Sequence, residues 1–161
     1  MTTKVHLAAD LRCRPIFSTL TAGHRHDCTA FELVMAGIRI HRSGPGRPRT
    51  RPGHVLADKA YSNRSVRGHL HRRGITATIP LKADQRAVRQ RKGSRGGRPP
   101  TFDPGRYRQR NTAERCINKL KQFRAVATRY DKRRYMYQAA VDIATMKIWL
   151  RDLTKDPRDR P

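Results

Sequence analysis

Apolar and polar residues alternate near the start of the chain and follow helical spacing soon afterwards. The alternation in segment 4–9 predicts a strand, and segment 15–21 predicts a second one. The turn-forming residues 10–14 between them indicate a hairpin. Apolar residues then recur every three or four positions over 29–38, which predicts an amphipathic helix.

The middle of the chain predicts a strand, a helix and a second strand. Segment 54–58 is a short apolar run that ends in a carboxylate, typical of a strand buried on both faces. A helix is expected from Ser62 or Asn63 to about Arg73, and segment 75–79 predicts the next strand. This order favours two parallel strands joined by a crossover helix.

The C-terminal half predicts two long helices after a basic loop. Segment 82–106 is rich in Arg, Gly and Pro, and it is expected to form a flexible basic loop. Helices are predicted over 107–124 and over about 133–152, followed by a disordered tail at 153–161. The apolar stripe of the last helix is predicted to comprise Met136, Ala139, Ala140, Ile143, Met146 and Leu150.

The charge of the chain indicates its class of partner. Its 161 residues include 37 Lys and Arg against 12 Asp and Glu, a formal net charge of +25. Such a charge attracts polyanions, and nucleic acid is the natural partner. Binding of this kind releases counterions and should weaken steeply with salt.

Other features of the composition exclude two classes of protein. No stretch approaches the ~18 consecutive apolar residues of a membrane span, so a membrane protein is excluded. Three widely separated cysteines, Cys13, Cys28 and Cys116, do not form the framework of a secreted disulfide scaffold. With no signal peptide visible, the expected location is a reducing cytoplasm.

The predicted helix 107–124 carries a dense set of functional side chains. At about 100° per residue, Tyr107, Arg110, Glu114 and Lys121 share an arc of roughly 60°. A carboxylate beside basic and aromatic groups suits a metal ligand among phosphate-binding residues. The alternative is an ordinary basic amphipathic helix with an Arg110–Glu114 ion pair at i, i+4.

A second carboxylate, Asp58, lies at the carboxyl end of its predicted strand. Ligand sites in α/β sheets favour that edge, which makes Asp58 a candidate site residue. The alternative is a capping Asp that leads into the next segment.

The spacing of these residues resembles a known family signature. Tyr107, Arg110, Glu114 and Lys121 match the Tyr-(2)-Arg-(3)-Glu-(6)-Lys pattern of the DDE transposases of bacterial insertion sequences. The run Ala57-Asp58-Lys59-Ala60-Tyr61 resembles the second-Asp motif of that family. The resemblance extends over nearly residues 2–152 and is greatest to the insertion-sequence family 5 branch.

The resemblance implies a fold and a chemistry. The fold would be α/β, a ribonuclease-H-like mixed sheet with helices on both faces. The activity would be DNA transposition by phosphoryl transfer, with end cleavage followed by strand joining to target DNA. Asp58 and Glu114 would be the second and third catalytic carboxylates and would bind Mg²⁺ or Mn²⁺. Tyr107, Arg110, Lys121 and, less directly, Lys59 would contact the DNA backbone.

The family's first catalytic Asp has no counterpart on a matching strand. Asp10 falls in the predicted hairpin turn and Asp27 lies just before the first helix, so neither fits that motif. Residues 1–152 are therefore expected to be a partial catalytic domain, the C-terminal part, that lacks the first strand. On its own it should nick its transposon ends poorly in Mg²⁺. The alternative function is a non-catalytic basic nucleic-acid-binding protein derived from the same fold.

The expected partners are double-stranded DNA, at both transposon ends and target, and no membrane. A homodimer and a complementing upstream transposase fragment are the two protein partners that the resemblance suggests.

Overall fold

The computed structural model describes residues 2–154 as a mixed α/β structure. Its strands are β1 (Thr3–Ala9), β2 (Pro15–Ala22), β3 (His54–Leu56) and β4 (Thr76–Thr78). Its helices are α1 (Phe31–Gly37), α2 (Arg64–Arg72), α3 (Ala83–Lys92), α4 (Pro104–Arg108), α5 (Asn111–Lys121), α6 (Arg124–Ala127) and α7 (Arg134–Thr154). Short 3-10 helices occupy Asp27–Ala30, Lys59–Tyr61 and Gly93–Gly96.

The predicted hairpin is confirmed: β1 and β2 pair in antiparallel register. Its turn is held by Asp10, whose carboxylate accepts from the backbone N–H groups of Arg12 and Arg14 at 3.0 and 2.9 Å. Cys13 adopts a left-handed φ of 59° in the same turn. Asp10 therefore has a structural role in the turn.

The predicted parallel pair is also confirmed, with β3 and β4 joined through α2. Asn63 caps α2 by accepting from the backbone N–H of Val66 at 2.7 Å. Gly74 ends the helix region with a φ of 62°, which a residue with a Cβ adopts at a cost. The expectation of a strand buried on both faces was wrong, because all three residues of β3 are only half-buried in a two-stranded sheet.

The strands form two separate two-stranded sheets in the described part of the chain. Each sheet contributes to a core cluster. The first cluster lies between the hairpin and the C-terminal helices and contains Leu20, Leu120, Val126, Tyr137, Val141, Ala144 and Ile148. The second lies around α1, α2 and the parallel pair and contains Phe31, Met35, Ile38, Val66, Leu70, Ile75 and Ile79.

Segment 82–106 is not the irregular loop that its composition suggests. It contains α3, a 3-10 helix and the start of α4. The Gln85 side chain accepts from the backbone N–H of Lys82 at the start of α3, and it also accepts from the Ser62 hydroxyl at 2.8 Å. Since Gly and Pro are confined to the later part of the segment, its first half is free to form a helix.

The single helix predicted over 107–124 is divided. Asp103 and Pro104 start α4 earlier, because the Asp103 side chain caps it at the backbone N–H of Arg106, 3.1 Å away. The α-helical hydrogen-bond pattern is interrupted around Gln109, where the Arg110 N–H donates to the Tyr107 carbonyl, three residues back, at 3.0 Å. Tyr107 and Glu114 consequently belong to different helices.

The last helix buries a different face from the one predicted. Its buried residues are Tyr137, Val141, Ala144 and Ile148. Met136, Ile143, Met146 and Leu150 from the predicted stripe are half or more exposed. Two apolar faces were available at helical spacing, and packing against β2 and α5 selected the other one.

An aromatic anchor ties α7 to the hairpin. The Trp149 indole donates to the Pro15 carbonyl at 2.7 Å. Arg14 stacks on the Trp149 ring at 4.0 Å and pairs with Asp152 at 2.8 Å.

Leu153 and Thr154, predicted to belong to the tail, end this helix, and 155–161 lie outside the described residues. No helix within residues 2–154 combines the length and apolar character that crossing a membrane requires.

Truncating Leu20 should destabilise the fold strongly. Its side chain is fully buried between the hairpin and the C-terminal helices. Leu20→Ala should lower the free energy of unfolding by about 2–5 kcal/mol, measured by urea denaturation. Leu11→Ala is the matched control, because Leu11 is 64% exposed and its truncation should cost less than about 0.5 kcal/mol. Equal losses for the two variants would contradict this core assignment.

Candidate active site

Asp58 lies two residues beyond the carboxyl end of β3, at the start of the 3-10 helix Lys59–Tyr61. Its Oδ1 accepts from the backbone N–H of Lys59 at 2.6 Å and so caps that helix. The alternative interpretation, that Asp58 is a capping residue, is therefore correct for its Oδ1 atom. The side chain stays partly exposed, which leaves the carboxylate accessible to a ligand.

Glu114 lies in the first turn of α5, with its side chain 53% exposed. Its Oε1 accepts from Arg110 Nη2 at 2.6 Å. This is the i, i+4 ion pair expected of a basic amphipathic helix. Below it, Cys116 and Leu120 hold α5 on the core, so Glu114 projects from a fixed helix.

Arg110 lies within electrostatic reach of both carboxylates. Partial burial works against the charge of its guanidinium, but the hydrogen bond to Glu114 and the charge of Glu114 outweigh it, with smaller contributions from Tyr107 and, last, Asp58. The net effect raises the pKa of Arg110. Glu114 therefore contacts Arg110 directly, and Asp58 acts on it only weakly and through space.

Helix α4 brings an aromatic residue to the same place. The Arg106 guanidinium approaches the His54 ring at the start of β3, with 3.4 Å between Nη1 and Nδ1. One residue later, the Tyr107 ring lies 5.6 Å from Arg110 Cζ and 5.4 Å from the Phe102 ring centroid. Arg110 thus contacts both Tyr107 and Glu114, although α4 and α5 are separate helices.

The two remaining predicted residues, Lys59 and Lys121, are exposed lysines at the ends of this region. Lys59 directly follows Asp58. Lys121 is the last residue of α5 and lies about two helical turns beyond Glu114 on the same side. Both add positive charge beside the carboxylates.

A third carboxylate does not join Asp58 and Glu114 within residues 2–154, where no group of three His, Cys, Asp or Glu side chains could hold a metal ion. Asp27 and Asp58 both act on the nearby Tyr61 hydroxyl. Burial, with smaller contributions from Asp27, Cys28 and Asp58 in that order, raises the pKa of Tyr61 to about 12. The Asp27 carboxylate itself is paired with Lys4 at 3.0 Å.

Comparisons with known proteins identify the family. A family model described as "Transposase DDE domain" matches residues 1–145. A relative from Brucella ovis, described as "Putative transposase for insertion sequence element IS6501", is 30% identical over 152 residues, which cover 94% of this chain and 100% of that protein. No solved structure matches.

The chain belongs to the DDE transposase family. The resemblance inferred from Tyr107, Arg110, Glu114 and Lys121 is thereby confirmed, while assignment to the insertion-sequence family 5 branch stays a prediction. Transposases act on DNA, which agrees with the partner class that the net charge indicates.

DDE transposases as a family use a divalent metal ion, and the donor atoms of this site suit one. Carboxylate oxygens are hard ligands, and Mg²⁺ commonly binds through one or two of them while it keeps several waters. Asp58 has one oxygen outside its cap, and Glu114 is half exposed. The two side chains therefore fit a hydrated divalent cation in donor type and number.

A basic groove elsewhere on the surface was not predicted from the sequence, and none of the predicted site residues lines it. A cavity of about 650 Å³ opens between α2 and α3. Its cationic and titratable lining comprises Arg64, Arg67, His71, Arg72 and Arg89. A guanidinium-lined groove of this size in a DNA-acting family suits a phosphodiester backbone.

The groove depends on the helix that replaces the expected loop. Gln85 on α3 bonds to Ser62 at the start of α2. Arg67 donates to the Ser62 hydroxyl at 3.0 Å and to the Ile79 carbonyl at 2.8 Å, and burial lowers the pKa of its guanidinium. Residues 83–92 include several with high helix propensity, and that was the sequence signal that could have predicted α3, one side of this groove.

Proposed function

We propose that the chain takes part in DNA transposition by metal-dependent phosphoryl transfer, with Asp58 and Glu114 as two of its metal-binding carboxylates. The observation that supports this most directly is the accessibility of both carboxylates: Glu114 is 53% exposed with its Oε1 at 2.6 Å from Arg110 Nη2, and Asp58 is partly exposed just beyond the carboxyl end of β3. Two accessible acids from separate elements, one of them beside a cation, form a region that can exchange a guanidinium for a metal ion and a phosphate.

The proposed reaction begins with hydrolysis at a transposon end. Water attacks the phosphorus, the bond from phosphorus to the 3′ oxygen breaks, and the leaving oxygen takes a proton, which gives a 3′-hydroxyl and a 5′-phosphate. In strand joining, that 3′-hydroxyl replaces water as the nucleophile on target DNA. A bound Mg²⁺ or Mn²⁺ supplies charge neutralisation at the phosphate and lowers the pKa of the nucleophile.

The basic and aromatic residues hold the DNA in this scheme. Arg110 turns from Glu114 to a non-bridging phosphate oxygen as the carboxylate takes up its ligand. Tyr107, stacked near Arg110, and Lys121 contact the neighbouring backbone, and Lys59 does so from the Asp58 side. The groove between α2 and α3 continues the DNA path, with Arg64 and Arg89 as phosphate contacts.

The third carboxylate is proposed to arrive on an added strand. The edges of β1 and β3 belong to different two-stranded sheets, yet Ala8 and Ile16 of the hairpin region pack on the same core cluster as Val55. A strand between β1 and β3 would join the sheets in the ribonuclease-H-like arrangement. Such a strand from an upstream transposase fragment fits the two open edges.

The alternative is a non-catalytic DNA-binding protein that uses the same basic surface. It is favoured by the engagement of both carboxylates in ordinary structural roles, the cap at Lys59 and the pair with Arg110. The two functions differ in whether the chain binds a divalent cation.

Metal binding tests the proposed site directly. Binding of Mn²⁺ broadens its electron-spin-resonance signal and can be measured in that way. Glu114→Gln should lose Mn²⁺ binding, because it removes one of the two proposed carboxylate ligands. DNA affinity of the same variant should change by less than about threefold, since its phosphate contacts remain.

Asp84→Asn is the matched control for that experiment. Asp84 is an exposed carboxylate on α3, a different element from those that carry Asp58 and Glu114, so this variant should bind Mn²⁺ as the parent does. Equal Mn²⁺ binding by the parent and Glu114→Gln would favour the non-catalytic alternative.

A further inference from the structure

Ser62 is a buried polar residue at the end of the short helix that Asp58 begins. Its surface is only 1% exposed, and its backbone N–H donates to the Lys59 carbonyl at 3.0 Å. In the same turn, the Tyr61 N–H donates to the Asp58 carbonyl at 2.9 Å. Asp58 and Ser62 are therefore the N-cap and the C-cap of one 3-10 helix, so a change in the orientation of Ser62 reaches Asp58 through the intervening backbone.

Two residues from α2 and α3 hold Ser62 in place. Its hydroxyl donates to Gln85 Oε1 at 2.8 Å and accepts from Arg67 Nη2 at 3.0 Å. The Gln85 side-chain amide also donates to the Ser62 carbonyl. The hydroxyl, the carbonyl and the N–H of Ser62 are thus all hydrogen-bonded, and a buried polar network that is fully satisfied specifies a single geometry.

Arg67 extends this network to the neighbouring strand. The same Nη2 atom donates to the carbonyl of Ile79 at 2.8 Å. Ile79 directly follows β4, and Ser62 lies beyond the carboxyl end of β3, which pairs with β4 in parallel. Arg67 therefore links the two segments that leave these strands at the edge of the sheet where Asp58 lies.

The packing of Tyr61 and the hydrogen bonds of Ser62 restrain the 3-10 helix in different ways. The Tyr61 ring lies 5.8 Å from the Phe31 ring and packs on the second core cluster. An apolar contact of this kind holds the helix against the core without fixing its rotation, because the hydrophobic effect is non-directional. Hydrogen bonds prefer a narrow range of angles, so the contacts of Ser62 set the direction in which Asp58 points.

We propose that Gln85 and Arg67 are positioning residues for Asp58 and that they act on it through Ser62. The inference rests on the proposed role of Asp58 as a metal ligand. Carboxylates that bind metals depend on the groups that orient them, and loss of such a group typically weakens metal binding about 10–100-fold. Gln85 and Arg67 supply that orientation from the floor of the groove between α2 and α3, which both of them line.

Mn²⁺ binding by the purified chain provides the first test. Gln85→Met keeps the length and helix propensity of the side chain but removes its bonds to Ser62, and it should weaken Mn²⁺ binding about tenfold or more. Arg67→Met should do the same. Arg67→Lys should stay close to the parent, because a single nitrogen makes both bonds of Arg67. A purely structural contribution of the packed side chain would not be rescued in this way.

Gln90→Met is the matched control for Gln85→Met. Gln90 is an exposed glutamine on the same helix and does not line the groove, so this variant should bind Mn²⁺ as the parent does. Parental Mn²⁺ affinity in Gln85→Met, or equal weakening in Gln90→Met, would overturn the proposal.

Hydrogen exchange of the Lys59 amide tests the positioning without a metal ion, because this N–H donates to Asp58 Oδ1. By nuclear magnetic resonance, its exchange should be about fivefold faster or more in Gln85→Met and unchanged in Gln90→Met. Unchanged exchange in Gln85→Met would overturn the proposal. So would an equal acceleration at the core residues Val66 and Leu70, which would indicate a general loss of stability. Faster exchange at Lys59 in a chain whose parent binds no Mn²⁺ would support the positioning of Asp58 while contradicting the metal site of the proposed function.

Discussion

Raising the NaCl concentration from about 50 to about 200 mM should weaken binding of this chain to duplex DNA roughly a thousandfold, as expected for a protein with six or more phosphate contacts. The physical reason is counterion release, since each neutralised phosphate frees a cation that must be rebound on dissociation. Arg64, Arg72 and Arg89 in the groove, with Lys121 near Glu114, can supply several such contacts. Fluorescence anisotropy of a labelled random-sequence duplex measures the effect.

Single arginine variants assign that salt dependence to the groove. Arg64→Ala and Arg89→Ala should each lower the slope of log affinity against log salt by about one. Arg39→Ala is the matched control, because Arg39 is exposed but lies outside the groove lining. A shallow salt dependence of the parent, or equal slopes for all three variants, would contradict phosphate binding in the groove.

The elements that could be predicted from the sequence are those whose local and tertiary signals agree. The hairpin follows from alternation in 4–9 and 15–21, and Asp10 supplies the turn chemistry between them. The β3–α2–β4 unit follows from an apolar run, a capping Asn63 and a terminating Gly74. In these segments each local preference supports the same fold, which is why the pattern was sufficient.

The errors arose where two signals competed. In 82–106 the Gly and Pro residues after Lys92 dominated the composition and concealed the helix formers of α3. In α7 two apolar stripes have nearly equal strength, and periodicity alone does not state which one meets the core. The choice of Val141 and Ile148 over Ile143 and Leu150 comes from packing against β2 and α5, which is tertiary information.

The candidate site was predictable as a set of residues but not as an arrangement. Spacing along one helix predicts the Arg110–Glu114 pair, and the structure has it. The placement of Tyr107 on a separate helix, and the effect of Asp58 on Arg110, depend on how α4 meets β3. The groove needs Gln85 to reach Ser62, a long-range contact that no local pattern encodes.

Removing either proposed catalytic carboxylate should reduce transposition about a thousandfold or more. Stabilisation of transition-state charge by a metal ion is worth several kcal/mol, and every 1.36 kcal/mol corresponds to a factor of ten in rate. Asp58→Asn also keeps an oxygen that can accept from the Lys59 N–H, so its cap can persist while its charge is lost. The measurement is transposition frequency in bacteria carrying an element that encodes this chain with all its reading frames intact.

The control variants separate loss of chemistry from loss of fold or DNA binding. Asp84→Asn, which removes an exposed carboxylate from α3, should transpose at the parental frequency. Asp58→Asn and Glu114→Gln should keep parental DNA affinity and unfolding midpoints while transposition falls, because neither side chain is buried in the core. Parental transposition by either variant would remove that residue from the reaction. If a variant loses DNA binding together with transposition, the substituted residue contacts DNA instead. A residue that only binds the metal ion would affect the chemical step and leave the folded chain bound to DNA.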